Sequence, residues 1–393
     1  MFLERRTFRI FSTSIEVNTL PKIVYADNAA TTKLDAEAFE AMKPYLLQEY
    51  GNASQPYSFA RQPKKAIQEA RNTVASCIGA LPEEIYFTSG GTESDNWAIK
   101  GTAFRNYDHR ATITSAFEHH AVLHACESIE HLGSPVVYMW PDSTGVVSPD
   151  TLARHITDET LLVSVMLANN EIGSIQPIKE LCEVSHTHGA LFHTDAVQAV
   201  GHVAIDVNAL GVDMLSASAH KFNGTKGVGF LYIRKGTTIL PYADGGAQEY
   251  GLRAGTENVA GIVCMATALR RNVDEMKANQ EHIRNLEQRL LDSLRESGVV
   301  YQRNGGDNTL PGVISLSFDG KDGEAILHRM DLMGICISTG SACDSKKTEI
   351  SHVLQAIRLP ENLAKGTIRI SLGKDNTADD VDAITTALRK ILL

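Results

Sequence analysis

Residues 84–115 read EIYFTSGGTESDNWAIKGTAFRNYDHRATITS. Glu84–Thr88 is a short run of β-branched and aromatic residues, the composition of a strand. Gly90 and Gly91 punctuate it, residues 94–104 take up a helical pattern, and Ala111–Ser115 is a second β-rich run. A strand, a glycine turn, a helix and a strand make one unit of an alternating fold. The alternation continues downstream, with candidate strands at 136–140, 161–167, 190–194, 214–216 and 228–233, and helical patterns at 121–132 and 177–188. Strands separated by helices of this length predict a mostly parallel seven-stranded sheet flanked by helices on both faces. In such sheets ligands sit at the carboxyl ends of the strands, so the residues just after each run are the functional candidates.

Two amphipathic helices, 35–50 and 59–78, precede this block, and one long or broken helical stretch, 258–297, follows it. The last hundred residues change rhythm: strand 312–318, helix 323–333, a loop, helix 350–357, strand 366–372 and helix 378–391. Two domains are therefore expected: 23–258, and a smaller α+β unit over 259–393, with the helices of 35–78 placed to pack on the smaller one. Residues 1–22 read as a disordered leader. Arg5, Arg6 and Arg9 give it a faint likeness to a transit peptide, which Glu4 and Glu16 oppose.

The 393 residues are 43% apolar and 21% charged, an ordinary globular composition. A chain of this length buries roughly three quarters of its unfolded surface and needs no disulfide or metal as a staple. A net charge of −10 argues against a general nucleic-acid or anionic-membrane binder, which needs a basic face. The six cysteines are scattered with no C-x-x-C pair, so they read as reduced thiols of a cytoplasmic protein. No stretch approaches the ~18 apolar residues of a membrane span.

Three short stretches follow candidate strands and carry chemistry in combination. Thr88–Asn96 (TSGGTESDN) opens a helix with two glycines, whose exposed amides and dipole suit a phosphate. Thr92 with Asp95 matches a capping box. Asp195, in HTDAVQ, closes a strand where a carboxylate needs a cationic partner or a raised pKa. Lys221, in SASAHKF, lies between two strands beside Phe222, where a lysine is less expected to be solvated and can lose its proton to attack a carbonyl. A phosphate cradle, an Asp for the ring nitrogen and a lysine for the aldehyde are the requirements of pyridoxal 5'-phosphate.

TSGGTESDNWAIKG, ANNEIG, HTDAVQ, SAHKFNGTKGVG, LRAGTENV and STGSACDS occur in this order. The chain thereby resembles a cysteine desulfurase, a class V aminotransferase-type enzyme of pyridoxal-phosphate fold type I, from about Val24 to the C-terminus. The resemblance implies that Lys221 carries the cofactor, that Asp195 faces its ring nitrogen and that His119 stacks on the ring. It implies that Gln198 bonds the phenolic oxygen and that Asn170 orients cofactor and substrate. Gly91, Thr92, Ser218 and His220 would hold the phosphate, joined by Thr256 from the other subunit of a homodimer. Arg369 would clamp the carboxylate of L-cysteine in a bidentate fork, and Cys343 would be the nucleophile. Three departures from the family pattern stand out: Ala53–Tyr57 where Pro and His are usual, Ala219 for a Gly, and Thr225 for a Pro.

Cys343 also stands out by itself. It lies in a small, polar, glycine-containing stretch, STGSACDSKK, with Lys346 and Lys347 nearby, the setting of a reactive thiol. Cys77, Cys126, Cys182 and Cys264 sit in helical or apolar surroundings, as inert cysteines do. Cys343 would take sulfur from cofactor-bound cysteine as a persulfide, releasing alanine, and pass it on. Its 26-residue distance from Arg369 resembles the subgroup that supplies Fe–S scaffold or tRNA-thiolation partners. A selenocysteine lyase or another small-amino-acid enzyme of the same cofactor is the alternative; a non-catalytic scaffold of the same fold has no need of Lys221, Asp195, His119, Arg369 and Cys343 together. His120 and His124 are one helical turn apart, but no H-E-x-x-H is present and no metal is expected.

Overall fold

The computed structural model describes residues 23–105, 110–339 and 350–393. The leader and the stretch carrying Cys343 lie outside the described residues. The first half of the chain runs β1 (Val24–Tyr25), α1 (Ala36–Leu47), α2 (Arg61–Ile78), β2 (Ile85–Thr88), α3 (Gly91–Arg105), β3 (Ala111–Ser115), α4 (His120–His131), β4 (Val136–Met139), α5 (Pro149–Ala153), β5 (Thr160–Ser164), α6 (Ile178–Thr187) and β6 (Leu191–Asp195). It continues through α7 (Val207–Leu210), β7 (Met214–Ser218), β8 (Gly229–Ile233), α8 (Val259–Asp274), α9 (Met276–Glu296), β9 (Gln302–Asn304) and β10 (Val313–Ser317). The last elements are α10 (Gly323–Asp331), β11 (Ile335–Cys336), α11 (His352–Ala356), α12 (Glu361–Ala364), β12 (Thr367–Ser371) and α13 (Ala378–Leu392).

The central sheet has seven strands in the order β2-β8-β7-β6-β5-β3-β4, and β8 alone runs against the others. The expected mostly parallel seven-stranded α/β sheet is present. The first strand–helix–strand unit does not pair with itself, however: β2 lies at one edge and β3 sits five places away. The central strands β5, β6 and β7 are buried on both faces, which is why they read as near-continuous apolar or small-residue runs. Register sets Asp195 beside Ser216 and His193 beside Met214, so the carboxyl ends of β6 and β7 open side by side.

The helices form where the sequence signals them. Asp35 caps α1 by accepting from the amides of Glu37 and Ala38. In α2, Ala66, Ile67, Ala70, Val74, Ala75 and Ile78 recur at helical spacing and are buried, and Gly79 ends the helix at φ 73°. The stretch 258–297 is two helices that part at Glu275, without a glycine or proline to mark the break.

A three-stranded antiparallel sheet, β12-β10-β9, packs with α9 and α13 around a second core of Leu286, Leu290, Leu294, Ile314, Leu316, Ile368, Ile370, Ile384 and Leu388. Truncating Leu290 to Ala there would cost about 2–5 kcal/mol. Val24 and Ala26 join this core through the β1–β11 pairing. The division expected at residue 258 falls at the start of α8, whose buried face (Ile262, Met265, Leu269) belongs to the first core. The passage from first core to second comes one helix later, between α8 and α9, and α1 and α2 pack on α8. At this joint Arg271 of α8 meets Asp35, Glu37 and Glu275, and Lys374 meets Asp35 and Glu275.

Candidate active site

Segments from across the chain converge on one cleft of about 690 Å³, among them the 29–31 loop, the β2–α3 turn, the N-terminus of α4, residues 166–171, the ends of β6 and β7, residues 350–355 and β12. Lys221 lies at the end of a one-turn 3-10 helix, Ala219–Lys221, that follows β7. Its Nζ donates to the carbonyls of Ala29 (2.7 Å) and Ala30 (2.8 Å). Gln198 Nε2 donates to the same Ala29 carbonyl at 2.9 Å. Ala219, where the resembled family has Gly, is fully buried, and Gly224 makes the room for it: a Cβ at Gly224 would lie 2.8 Å from that of Ala219.

Asp195 sits at the cleft floor, buried, with Oδ1 accepting from the Val197 amide at 2.9 Å. Burial raises its pKa, while the Val197 amide and the nearby Lys221 charge pull it back. Asp95 is the second acid of the floor. Burial first, and then the charge of Asp195, push its carboxyl well above the carboxylate range. Its Oδ1 has no hydrogen-bond partner and lies 3.7 Å from His193 Nε2. Two unshielded carboxylates cannot share such a pocket, so Asp195 is the anion and Asp95 the neutral acid. The expected capping box between Thr92 and Asp95 is not formed. Helix α3 begins at Gly91, which turns Asp95 inward, and Glu93 instead reaches back to the Ser89 amide (3.1 Å) and hydroxyl (2.5 Å).

His119 is the N-cap of α4, and its Nδ1 accepts the Ala121 amide at 3.1 Å. Burial, then the positive charge of Lys221 and three other histidines, lower its pKa to about 4. The imidazole is therefore neutral with its proton on Nε2. Gly90, at φ 146°, and Gly91 begin the turn into α3, and Gly91 has no room for a side chain because a Cβ would meet Val197 at 2.6 Å. Ser218, His220, Gly91 and Thr92 line this end of the cleft. Asn170 lines it too, and its carbonyl accepts Arg369 Nη1 at 2.9 Å. Arg369 is buried on β12; Nη2 donates to Asp27 Oδ1 at 2.8 Å, and Nε is buried without a partner.

Thr256 is exposed and does not line this chain's cleft. Cys343 lies outside the described residues. Sequence reasoning missed Asp27, Glu118, Glu171 and His352, and gave Asp95 only a capping role. Glu118 and Glu171 are buried acids whose pKa values burial raises to about 8 and about 7; Glu171 accepts from Ser351 at 2.6 Å. Each flanks a residue that was singled out, His119 or Asn170, and a charged residue beside an apolar strand end was the signal to follow. The His120 ring lies 5.1 Å from that of His124 and 4.7 Å from that of His352. Among the described residues no group of three or more His, Cys, Asp or Glu is arranged to hold a metal ion.

The donor set suits pyridoxal phosphate: a glycine turn and helix N-terminus for the phosphate, a lysine amine, a buried anion and a neutral acid at the floor, and an arginine with an unused N–H. Residues 24–384 match the family model described as aminotransferase class-V. The chain is 47% identical over 377 residues to a cysteine desulfurase IscS of Methanosarcina thermophila, covering 96% of this chain and 93% of that protein. It is 48% identical to a cysteine desulfurase IscS of Dictyoglomus turgidum, covering 94% of each. Among solved structures, a NifS-like protein superposes with a TM-score of 0.89 at 37% identity, covering 94% of this chain and 99% of that one. SspA in complex with cysteine gives 0.81 at 35% identity, covering 90% and 99%.

Proposed function

The chain belongs to the class-V aminotransferase family, within its cysteine desulfurases, and from that premise we propose that it converts L-cysteine to L-alanine with pyridoxal phosphate. The sulfur leaves as a persulfide on Cys343, for delivery to an acceptor protein of Fe–S cluster assembly or tRNA thiolation. The observation that carries this reading is the Lys221 amine held in the same cleft as Asp195, His119 and Arg369.

Each residue has a task that its surroundings suit. Lys221 would hold the cofactor through its amine. Its two carbonyl partners hold the side chain of Lys221 at the cleft wall. Asp195, the anion of the floor, keeps a proton on the ring nitrogen. When bound, the cofactor supplies an electron sink conjugated to the substrate amine. The neutral His119 would lie against the ring, with Nε2 free of the Ala121 amide bond and available for moving a proton at the substrate. Gln198 and Asn170 orient the ring, while Gly91, Thr92, Ser218 and His220 bind the phosphate. Arg369 takes the substrate carboxylate, its unpartnered Nε joining a guanidinium already aligned by Asp27 and Asn170.

The exposed Thr256 is offered to the phosphate of a second copy, which makes the protein a homodimer. Its arm is anchored on its own chain by Arg253, bonded to Glu93 at 2.8 Å. No helix among the described residues is long and apolar enough to cross a membrane, and the net charge is −10; both support a cytoplasmic enzyme without nucleic-acid or membrane partners. The test is to add L-cysteine and a reductant to the cofactor-loaded protein and measure alanine and sulfide. Equal amounts of both, lost in Lys221→Ala and in Cys343→Ala, support the reading; alanine made at the native rate by Cys343→Ala contradicts the persulfide route. Turnover of selenocysteine alone would favour the lyase.

A further inference from the structure

The turn that carries Lys221 is held by its carbonyls, and each is held from a different part of the fold. His220 O accepts the Thr32 amide and hydroxyl, both at 2.9 Å. Lys221 O accepts His202 Nε2 at 2.8 Å. Phe222 O accepts Asn272 Nδ2, from α8, at 2.9 Å. The next residue, Asn223, is left-handed at φ 64°, a region that Asn enters more readily than other non-glycine residues. Its amide and side chain are tied to Thr32 Oγ1 and the Lys33 carbonyl, both at 2.8 Å. Backbone bonds from Ala219 to Val228 and from Phe222 and Gly224 to the Ala219 carbonyl close the turn, and the bonds above tie its later carbonyls to the 32–33 loop, His202 and α8.

His202 is itself fixed. Its amide donates to Ala199 O at 2.9 Å, and its carbonyl accepts Gln280 Nε2 of α9 at 2.6 Å. A carbonyl has no proton to give, so Nε2–H is the donor to Lys221. Burial foremost, with the charges of Lys374 and Lys221, keeps the ring neutral against the opposing pull of that bond. The imidazole lines a small cavity of about 50 Å³ that Asn223, Asn272, Gln280 and Lys374 also line.

We propose that His202 is a positioning residue for Lys221: its Nε2–H fixes the lysine's own peptide group and thereby aims the amine into the cleft. This rests on the reading of Lys221 as the cofactor lysine. Lysine capture of an aldehyde is governed by near-attack geometry. A loosened Lys221 peptide therefore slows capture more than it disturbs the phosphate cradle: Gly91 and Thr92 lie on another segment, and His220, on the same turn, has its own carbonyl tied by Thr32. A donor in place of the imidazole should suffice, so His202→Gln restores what His202→Leu loses.

Two ligands separate the effects. Pyridoxal phosphate has the aldehyde that Lys221 captures; pyridoxamine phosphate has the same phosphate and ring but nothing for the lysine to attack. Cofactor-depleted protein is mixed with pyridoxal phosphate and the rise of the near-visible absorbance band is timed, while pyridoxamine phosphate affinity is measured by protein fluorescence. In His202→Leu, capture slows on the order of tenfold, the ratio one lost hydrogen bond imposes. Its pyridoxamine phosphate affinity stays within about twofold of native, and His202→Gln captures at close to the native rate. Capture at the native rate in His202→Leu overturns the proposal, as does His202→Gln being equally slow. If His202→Leu does not fold, His202→Asn, whose shorter amide falls short of the carbonyl, takes its place under the same criteria. A native protein that develops no band sinks the cofactor reading together with this one; a native band with unaltered variants sinks this one alone.

Discussion

Arg369 Nη2 donates to Asp27 Oδ1 at 2.8 Å, so the guanidinium that would meet a substrate carboxylate already faces a carboxylate of its own chain. Asp27 aligns the fork while leaving the buried Nε without a partner. Arg369→Lys keeps the charge and loses the planar fork. A hydrogen bond to a charged group is worth about 1.5–3 kcal/mol. KM for L-cysteine is therefore expected to rise on the order of ten- to a hundredfold with a smaller change in kcat. Steady-state kinetics check it; an unchanged KM would remove Arg369 from the carboxylate site.

Asp195→Asn leaves the floor of the cleft without its anion. The ring nitrogen then has no partner to hold its proton, and kcat is expected to fall on the order of a hundredfold or more, with the cofactor still bound. Asp95→Asn should be mild by comparison, because an amide resembles the neutral acid that Asp95 already is. Parallel turnover assays of the two variants decide the assignment, and a reversed order of damage would exchange their roles.

Glu118 makes stability fall as pH rises from 4.5 to about 8. Its folded pKa is raised from 4.5 to about 8 by burial, so the folded chain holds a proton that the unfolded chain has released between those values. The folded state binds more protons there, and unfolding free energy declines as pH rises from 4.5 to 8. His193 acts in the opposite direction: burial lowers it from 6.5 to about 3, and stability is lost as pH falls through that window. Denaturation midpoints across pH should decline less steeply above pH 5 in Glu118→Gln. A parallel curve would mean that Glu118 is ionised in the fold.

Arg71 and Glu249 form a buried pair at 2.7 Å, with the guanidinium 4.5 Å from the Phe87 ring centre. The pair holds Glu249 and Tyr250 at φ 46° and 59° in the segment that leads to Thr256. Arg71→Met alone leaves a buried charge and is expected to cost about 3–5 kcal/mol in denaturant unfolding. Replacing both residues by Met should cost less than the single change. A cost below 1 kcal/mol for the single variant would show that water reaches the carboxylate.

The alternation of strands and helices was legible because each element carries its own period: Ala111–Ser115 and Ala378–Leu392 need no distant partner to be recognised. The short elements β1, α5, α7 and α12 were not. Strand β1 exists only because Val24 pairs with Ile335, more than three hundred residues away, and α5, α7 and α12 are too short to show a period. The catalytic candidates were legible at strand ends. The groups that hold them were not: the Ala29 and Ala30 carbonyls under Lys221 have no side-chain signature, and Asp27 reaches Arg369 only through the fold. Asp95 was misread because a local cap and a buried acid share one sequence pattern, and only the start of α3 at Gly91 separates them.

The central claim is that Lys221 carries the cofactor. Borohydride reduction of the pyridoxal-phosphate-loaded protein, followed by peptide mass spectrometry, tests it most directly. A phosphopyridoxyl mass on the peptide containing Lys221, and on no other at comparable yield, is the expected result; the adduct on Lys226 instead, or on no lysine at all, would contradict it.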